Sequence, residues 1–245
     1  MLRGETHIGG TFVSVSRSVV LKPTQRCERC QQVLRWCVCS GFQAVECPLR
    51  VDVLMHPREF RRPSSTGHLI NRVIPSSHNH LFSHETPLVR EAVVQPDRVL
   101  WILHPAGGPP PVDVPPSSLQ VLLLDGSWRE AARMRKVVVA WGRLVSLPSA
   151  QASRFRLRNQ HDDTNYSTVE ALEILLGTLG LHEAAARLRA QFELHVYAAL
   201  RSRGAIGEAA MFLAGSSLME TLPGPLRELQ EQRPCPAGSA GARLP

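Results

Sequence analysis

Leu122-Leu-Leu-Asp125-Gly-Ser127-Trp128-Arg129-Glu-Ala-Ala-Arg133-Met134 sets a carboxylate, a hydroxyl and an indole within four residues, between an apolar run and an amphipathic one. An Asp at the carboxyl end of a buried strand, followed by a turn and a helix, sits where open α/β sheets hold their ligands. There the carboxylate can take a proton or orient a ligand, and the amides opening the helix can hold an anion. The same pattern also fits a structural role, with Asp125 or Ser127 capping the helix and Trp128 packed inside. A second segment, His56-Pro-Arg-Glu-Phe-Arg61-Arg62-Pro-Ser-Ser65-Thr66-Gly67-His68, again leads from a strand to a helix. Its Arg, hydroxyl and Gly residues can cradle a carboxylate or phosphate, or they form a capped helix with a solvated Arg pair. A third runs from Phe155-Arg156-Leu-Arg158 to Tyr166-Ser167-Thr168-Val-Glu170. It offers Arg side chains to a nucleic acid and Ser and Glu to a helix start. His56, His104 and His161, taken singly, read as structural residues.

Four of the six cysteines fall within thirteen residues, as Cys27-Glu-Arg-Cys30 and Cys37-Val-Cys39. Clustered thiols in a chain that opens without the apolar core of a secretory signal favour metal over disulfides. Two close pairs can close the two sides of a tetrahedral Zn²⁺, leaving no open position for catalysis. A redox C-x-x-C is the rival, but it would open a helix after a strand, and no such pattern surrounds Cys27. The formal charge of +7 is unevenly spread. Residues 1–62 carry 10 basic and 5 acidic groups, and residues 129–160 carry 8 basic groups and only Glu130. Two basic segments on a slightly acidic background point to an anionic partner, or to a solvated basic face. No apolar run approaches the roughly 18 residues of a membrane span, and the expectation is a soluble, cytoplasmic protein.

These groups need elements to hold them. At 43% hydrophobic and 20% charged the chain can build a sizeable core. Leu49–Met55, Val99–Leu103, Gln120–Leu124 and Arg143–Leu147 read as strands, with Pro105–Pro111 as a linker. Ser64 or Ser65 is expected to cap a helix through Leu69, Ile70 and Val73, and another helix begins near Ser127. Ser167-Thr-Val-Glu170 has capping-box spacing and opens a helix through Leu172, Leu175 and Leu176. A long helix follows from Glu183 to about Arg203. Strands interleaved with helices make an α/β domain with a mostly parallel sheet and flanking helices. The expected organisation is an N-terminal arm over 1–24, a zinc knuckle over 25–46, a catalytic domain over 47–222 and a disordered tail over 223–245.

The ordered combination of a four-Cys knuckle, H-P-R-E-x-x-R-P-[ST]-x-T-G, an L-D-x-[ST]-W-type motif and an R-rich segment before an S/T-x-E-A helix resembles the DTW-domain proteins, the tRNA-uridine aminocarboxypropyltransferases of bacterial type. The resemblance covers about residues 25–200, with Asp125-Gly-Ser127-Trp128 in place of the eponymous triplet. It implies a fold related to the SPOUT methyltransferases, often with a C-terminal knot, and transfer of the 3-amino-3-carboxypropyl group of S-adenosylmethionine to N3 of a tRNA uridine. It implies Asp125, Ser127 and Trp128 as catalytic residues. Arg61, Ser65, Thr66, Gly67, His104, Pro105, Leu124, Ser167 and Thr168 would hold S-adenosylmethionine. Arg129, Arg133, Arg154, Arg156 and Arg158 would meet tRNA, and Cys27, Cys30, Cys37 and Cys39 a structural Zn²⁺. Two other functions fit the same residues: an RNA methyltransferase using the same co-substrate, and a non-catalytic zinc-knuckle RNA-binding protein.

Overall fold

The structure is a computed structural model, and it describes residues 25–83, 85–148, 152–157 and 166–231. Five strands, β1 (Arg50–Met55), β2 (His78–Leu81), β3 (Val99–Gly108), β4 (Leu119–Asp125) and β5 (Arg143–Val145), form one sheet in the order β2-β1-β4-β3-β5. Every pairing is parallel. Strands β1 and β4 are buried on both faces, which is why they read as continuous apolar runs in the sequence. Eight helices are described: α1 (Pro57–Phe60), α2 (Gly67–Val73), α3 (Trp128–Val138), α4 (Thr168–Thr178), α5 (His182–Ser202), α6 (Ile206–Ala214), α7 (Leu218–Thr221) and α8 (Pro223–Gln230).

The pleat sorts the core into two layers. Val51, Val53, Met55, Leu119, Val121 and Leu123 face α2, α4 and α5 in one cluster. Leu54, Ile102 and Leu122 face Ala131, Met134 and Val138 of α3 in the other. By this alternation Asp125 falls on the α2–α4 side. Helix α5 is the hub of the larger layer, buried continuously from Ala190 to Leu200. Its buried polar groups each anchor another segment. Gln191 Nε2 donates to Gly41 O at 2.9 Å, Gln32 Nε2 lies 3.1 Å from His195 Nδ1, and Glu193 meets both Arg154 and Ser216.

Three expectations change, and one strand has no counterpart in the sequence reading. The helix over 67–73 has Thr66 as its N-cap residue with no side-chain cap bond, so neither Ser64 nor Ser65 caps it. The segment 105–108 is no linker: β3 runs to Gly108, and both Leu103 and Gly108 register with Val145 across an irregularity. The edge strand β2 carries the polar sequence His-Asn-His-Leu, which lacks the apolar pattern that marks strands. Residues 223–230 form α8, with Leu226 and Leu229 buried, so the expected tail cannot begin at 223. The arm over 1–24 and residues 232–245 lie outside the described residues.

Candidate functional site

The sheet order places the site. The chain leaves β1 toward β2 at one edge and leaves β4 toward β5 at the other, yet β1 and β4 are neighbours, with Met55 in register with Asp125. Their carboxyl ends diverge into α1–α2 on one side and α3 on the other. Such a switch point opens a crevice outside the strand ends, where ligands bind in open α/β sheets. Asp125 ends β4 there, and its carbonyl accepts a hydrogen bond from the His56 N–H at 2.9 Å.

The Asp125 carboxylate is buried and held by two hydroxyls. Ser65 Oγ donates to Oδ2 at 2.7 Å and Thr168 Oγ1 donates to Oδ1 at 2.5 Å. Gly67 closes against it: a Cβ at this position would lie 2.7 Å from Asp125 Oδ2 and 3.1 Å from Val53 Cγ1. Thr168 opens the eleven-residue α4, so the carboxylate lies at the N-terminal end of that helix. Residues sixty and forty-three positions away thus converge on one group.

Ser127 sits elsewhere. Its hydroxyl caps α3 in a capping box with Glu130, whose Oε2 accepts from the Ser127 N–H at 2.9 Å and from Oγ at 2.8 Å. Burial pushes the Glu130 carboxyl up, but the Ser127 hydrogen bonds and the nearby His56 and Arg58 outweigh it and hold the group below its ordinary value. Trp128 is 48% exposed at the start of α3 instead of packed inside. Ser167 likewise caps α4, reciprocally with Glu170, which also accepts from Ser153 Oγ and from the Arg154 N–H at 2.6 Å. Leu124 points to the opposite face from Asp125 and is half-buried. His104 is half-buried in the bulge of β3, where its Nδ1 accepts from the Ala106 N–H at 3.0 Å and burial, with Arg135 nearby, lowers its pKa. Pro105 beside it is exposed.

The arginines divide. Arg129 and Arg133 lie exposed, four residues apart on α3, and Arg156 is exposed in the turn at 156–157. Arg154 is engaged inside the protein: its Nε lies 2.8 Å from Glu193 Oε1, its Nη2 donates to Phe212 O, and its guanidinium stacks on the Phe212 ring at 4.7 Å. Its guanidinium is thus held by Glu193 and Phe212, unlike those of Arg129 and Arg133. Arg158 lies outside the described residues. Arg61 is exposed and lines a cavity bordered by Arg29, Arg62 and Arg72, away from Ser65, Thr66, Gly67 and Asp125, none of which borders it.

The cysteine knuckle is built by a turn in which Gln31 takes a positive φ of 59° and its N–H donates to Cys27 O at 2.8 Å. The four Sγ atoms lie within 4.8 Å of one another, with Cys27–Cys39 and Cys30–Cys37 both at 3.7 Å. A tetrahedron with Zn–S bonds of about 2.3 Å has S···S edges of about 3.8 Å, which the two 3.7 Å pairs match. Hydrogen bonds from Cys37 and Cys39 hold the Cys30 thiol far below its ordinary pKa, while the bond to Cys30 pushes Cys39 up to about 12. The four sulfurs together could hold a metal ion. The knuckle docks through Gln32 on His195, a fully buried imidazole that burial, then Arg72, lowers to about 3 and keeps neutral.

Sequence reasoning offered Ser127 as a helix cap but missed its reciprocal partner Glu130, although Ser-x-x-Glu stands in the sequence there as it does at Ser167. It also missed the Glu193 network and the Arg-lined cavity, which no local pattern marks. Among the described residues no helix is long and apolar enough to cross a membrane. No solved structure matches the chain. The DTW domain family matches residues 24–200, well over half of the 245 residues.

Proposed function

This chain belongs to the DTW domain family, which is associated with tRNA-modifying enzymes, and we propose that it transfers the 3-amino-3-carboxypropyl group of S-adenosylmethionine to N3 of a tRNA uridine. The observation that carries the reading is Asp125, a buried carboxylate held by Ser65 and Thr168 at the switch point of the sheet. A buried negative charge suits a co-substrate that bears a sulfonium and an ammonium group. When bound, that co-substrate supplies the electrophilic γ-carbon and its own leaving group, methylthioadenosine.

The protein must free a nucleophile and align it. Uridine N3 attacks only as its proton leaves, so a base must lie within hydrogen-bond reach. As the N3–C bond forms, the C–S bond breaks with its electron pair remaining on sulfur. The N3 proton passes to Asp125. Thr168 is half-buried where Asp125 is buried, so its hydroxyl can receive the N3 proton while handing its own to the carboxylate. Ser65 keeps the other oxygen in place. Thr66, Gly67, His104, Pro105, Leu124 and Ser167 border the co-substrate, and Trp128 presents a face on which a base can stack. Arg129, Arg133, Arg156 and Arg158 meet tRNA phosphates. Zinc on the four cysteines holds the knuckle and takes no part in the reaction. The same reading relates the sheet to the SPOUT methyltransferases, with any knot in the C-terminal helices, and places the enzyme in the cytoplasm.

Nucleoside mass spectrometry of an unmodified tRNA incubated with the protein and S-adenosylmethionine tests this. A uridine heavier by one aminocarboxypropyl group, with methylthioadenosine released, is the expected result. A methylated uridine with S-adenosylhomocysteine would make the chain a methyltransferase. Absence of product on every tRNA would refute the transferase.

A further inference from the structure

We infer that the open cavity between the cysteine knuckle and the α1–α2 segment is a second RNA site, which receives one unpaired nucleotide of the strand that carries the target uridine. The inference rests on RNA being the substrate, as proposed above. The cavity is about 700 Å³, within the range of small-ligand sites. Three kinds of group line it, and each asks for a different part of a nucleotide.

The first is aromatic. Phe60 is 51% exposed, its ring tilted against His68 at 5.3 Å between centroids and open to the cavity. The second is cationic. Arg61 has no hydrogen bond or ion pair among the described residues, and the Arg29 guanidinium rests only on the Phe42 ring at 4.5 Å. The two other arginines of the wall are engaged, Arg62 with Glu59 at 2.7 Å and Arg72 with the carbonyls of His68 and Arg29. One carboxylate, Glu28, also borders the space, so an anion is drawn to the Arg29–Arg61 side. The third is polar. Asn79 on β2 borders the cavity with its amide side chain, whose Oδ1 itself is turned away from solvent.

A simple anion would use the arginines and leave Phe60 and Asn79 idle. An apolar ligand would leave two guanidinium groups without partners. A nucleotide suits all three, with its phosphate on Arg29 and Arg61, its base on Phe60, and a polar edge of the base or ribose beside the Asn79 amide. The base must be unpaired to expose its face. Arg61 is only four residues from Ser65, an extended span of at most about 14 Å. One strand can therefore occupy the cavity and reach Asp125 with a nearby nucleotide. Arg29 lies inside the Cys27–Cys30 turn, so the knuckle fixes one wall of this site.

The test uses the full chain with its metal. Fluorescence anisotropy is measured with a labelled ten-nucleotide single strand, the same sequence as a blunt duplex, and an unmodified tRNA transcript. Phe60→Ala should weaken the single strand and the tRNA about 5- to 100-fold while barely affecting the duplex. Arg29→Ala should lower the slope of log K against log salt by about 1. A 4-thiouridine-substituted tRNA should photo-cross-link to the peptide around Phe60, and Asn79→Ala should reduce that yield. Melting temperature and bound zinc, unchanged in each variant, exclude misfolding as the cause. Wild-type affinity, salt slope and cross-linking in Phe60→Ala and Arg29→Ala would overturn the inference. If wild-type protein makes the modified uridine and the variants behave like it, the pocket fails and the transferase stands. If no product forms yet single-strand binding depends on Phe60, the transferase fails and the pocket stands.

Discussion

The hydroxyl clamp on Asp125 makes a sharp prediction, because it says that Ser65 and Thr168 act through Asp125 and not on substrate alone. Each clamp bond is a hydroxyl donating to a carboxylate, at 2.7 and 2.5 Å, and bonds to charged groups are worth about 1.5–3 kcal/mol. If that energy holds the carboxylate in its reactive position, losing one bond slows the chemical step about 10- to 150-fold, at 1.36 kcal/mol per factor of ten. Asp125→Asn keeps the shape but removes the proton acceptor, a loss of about 10²- to 10⁴-fold. The decisive figure is the coupling. In Asp125→Asn the Thr168 hydroxyl has no carboxylate to serve, so Asp125→Asn/Thr168→Val should be no slower than Asp125→Asn alone, well short of the product of the single effects. The assay is single-turnover formation of the modified uridine with saturating S-adenosylmethionine, alongside tRNA affinity by filter binding, which should not move in any of these variants. Multiplicative losses in the double variant would refute the clamp, since Thr168 would then act independently. Near-wild-type turnover in Asp125→Asn would remove Asp125 as the proton acceptor.

Three further outcomes follow from other parts of the molecule. The knuckle should hold one zinc per chain, and cobalt in its place should show the intense sulfur-to-metal bands of a four-thiolate site; Cys30→Ser should lose both, and a site with nitrogen or oxygen ligands would contradict the 3.7 Å sulfur spacings. Glu173 is pushed by burial from 4.5 up to about 7, against the opposing pull of Arg189. Its carboxyl binds a proton more tightly folded than unfolded, so its contribution is intact below about pH 4.5 and fades as the pH rises through about 7, by at most about 3 kcal/mol. Glu173→Gln should therefore match wild type near pH 4.5 and exceed it by about 1–3 kcal/mol at pH 8 in urea denaturation; a pH-independent difference would show that burial is not what perturbs it. Gly67→Ala brings a methyl to 2.7 Å from Asp125 Oδ2 and should cost at least tenfold in turnover and about 1–3 kcal/mol in stability. Gly177→Ala, on α4 with nothing within 4 Å of the new methyl, should be stabilising by about 0.5–1 kcal/mol; equal effects at the two glycines would deny the close approach at Gly67.

The parts of this molecule legible in its sequence are those whose physics is local. The four cysteines meet because local turns, with the Gln31 N–H on Cys27 O and the Cys27 N–H on Gln32 O, fold a short segment back on itself, and β1 and β4 announce themselves because burial on both faces makes their runs mostly apolar. The misreadings have one cause, which is that a side chain's partner can lie far along the chain. Ser65 stands just before a helix, the place of a cap, but its hydroxyl goes to a carboxylate sixty residues on. Arg154 sits in a basic run that suggests phosphate, but Glu193 and Phe212 claim its guanidinium. Pro223-Gly-Pro-Leu226 has the composition of a tail, yet Leu226 and Leu229, three apart on one helical face, reach the core under α5.

The site itself depends on the same distant pairing. Asp125, Ser65 and Thr168 belong to three segments that no periodicity links, and what joins them is strand order. Because β4 inserts beside β1 instead of following β2 or β3 outward, the end of β4 opens against the loop that leaves β1. Because the pleat turns Asp125 to the α2–α4 face, its carboxylate meets Ser65 just before α2 and Thr168 at the start of α4. Shifting β4 by one residue would turn Asp125 toward α3 and break both bonds at once. The chemistry thus rests on sheet register as much as on the residue, and for that reason an Asp at a strand end could be recognised as a candidate in the sequence while its two partners could not.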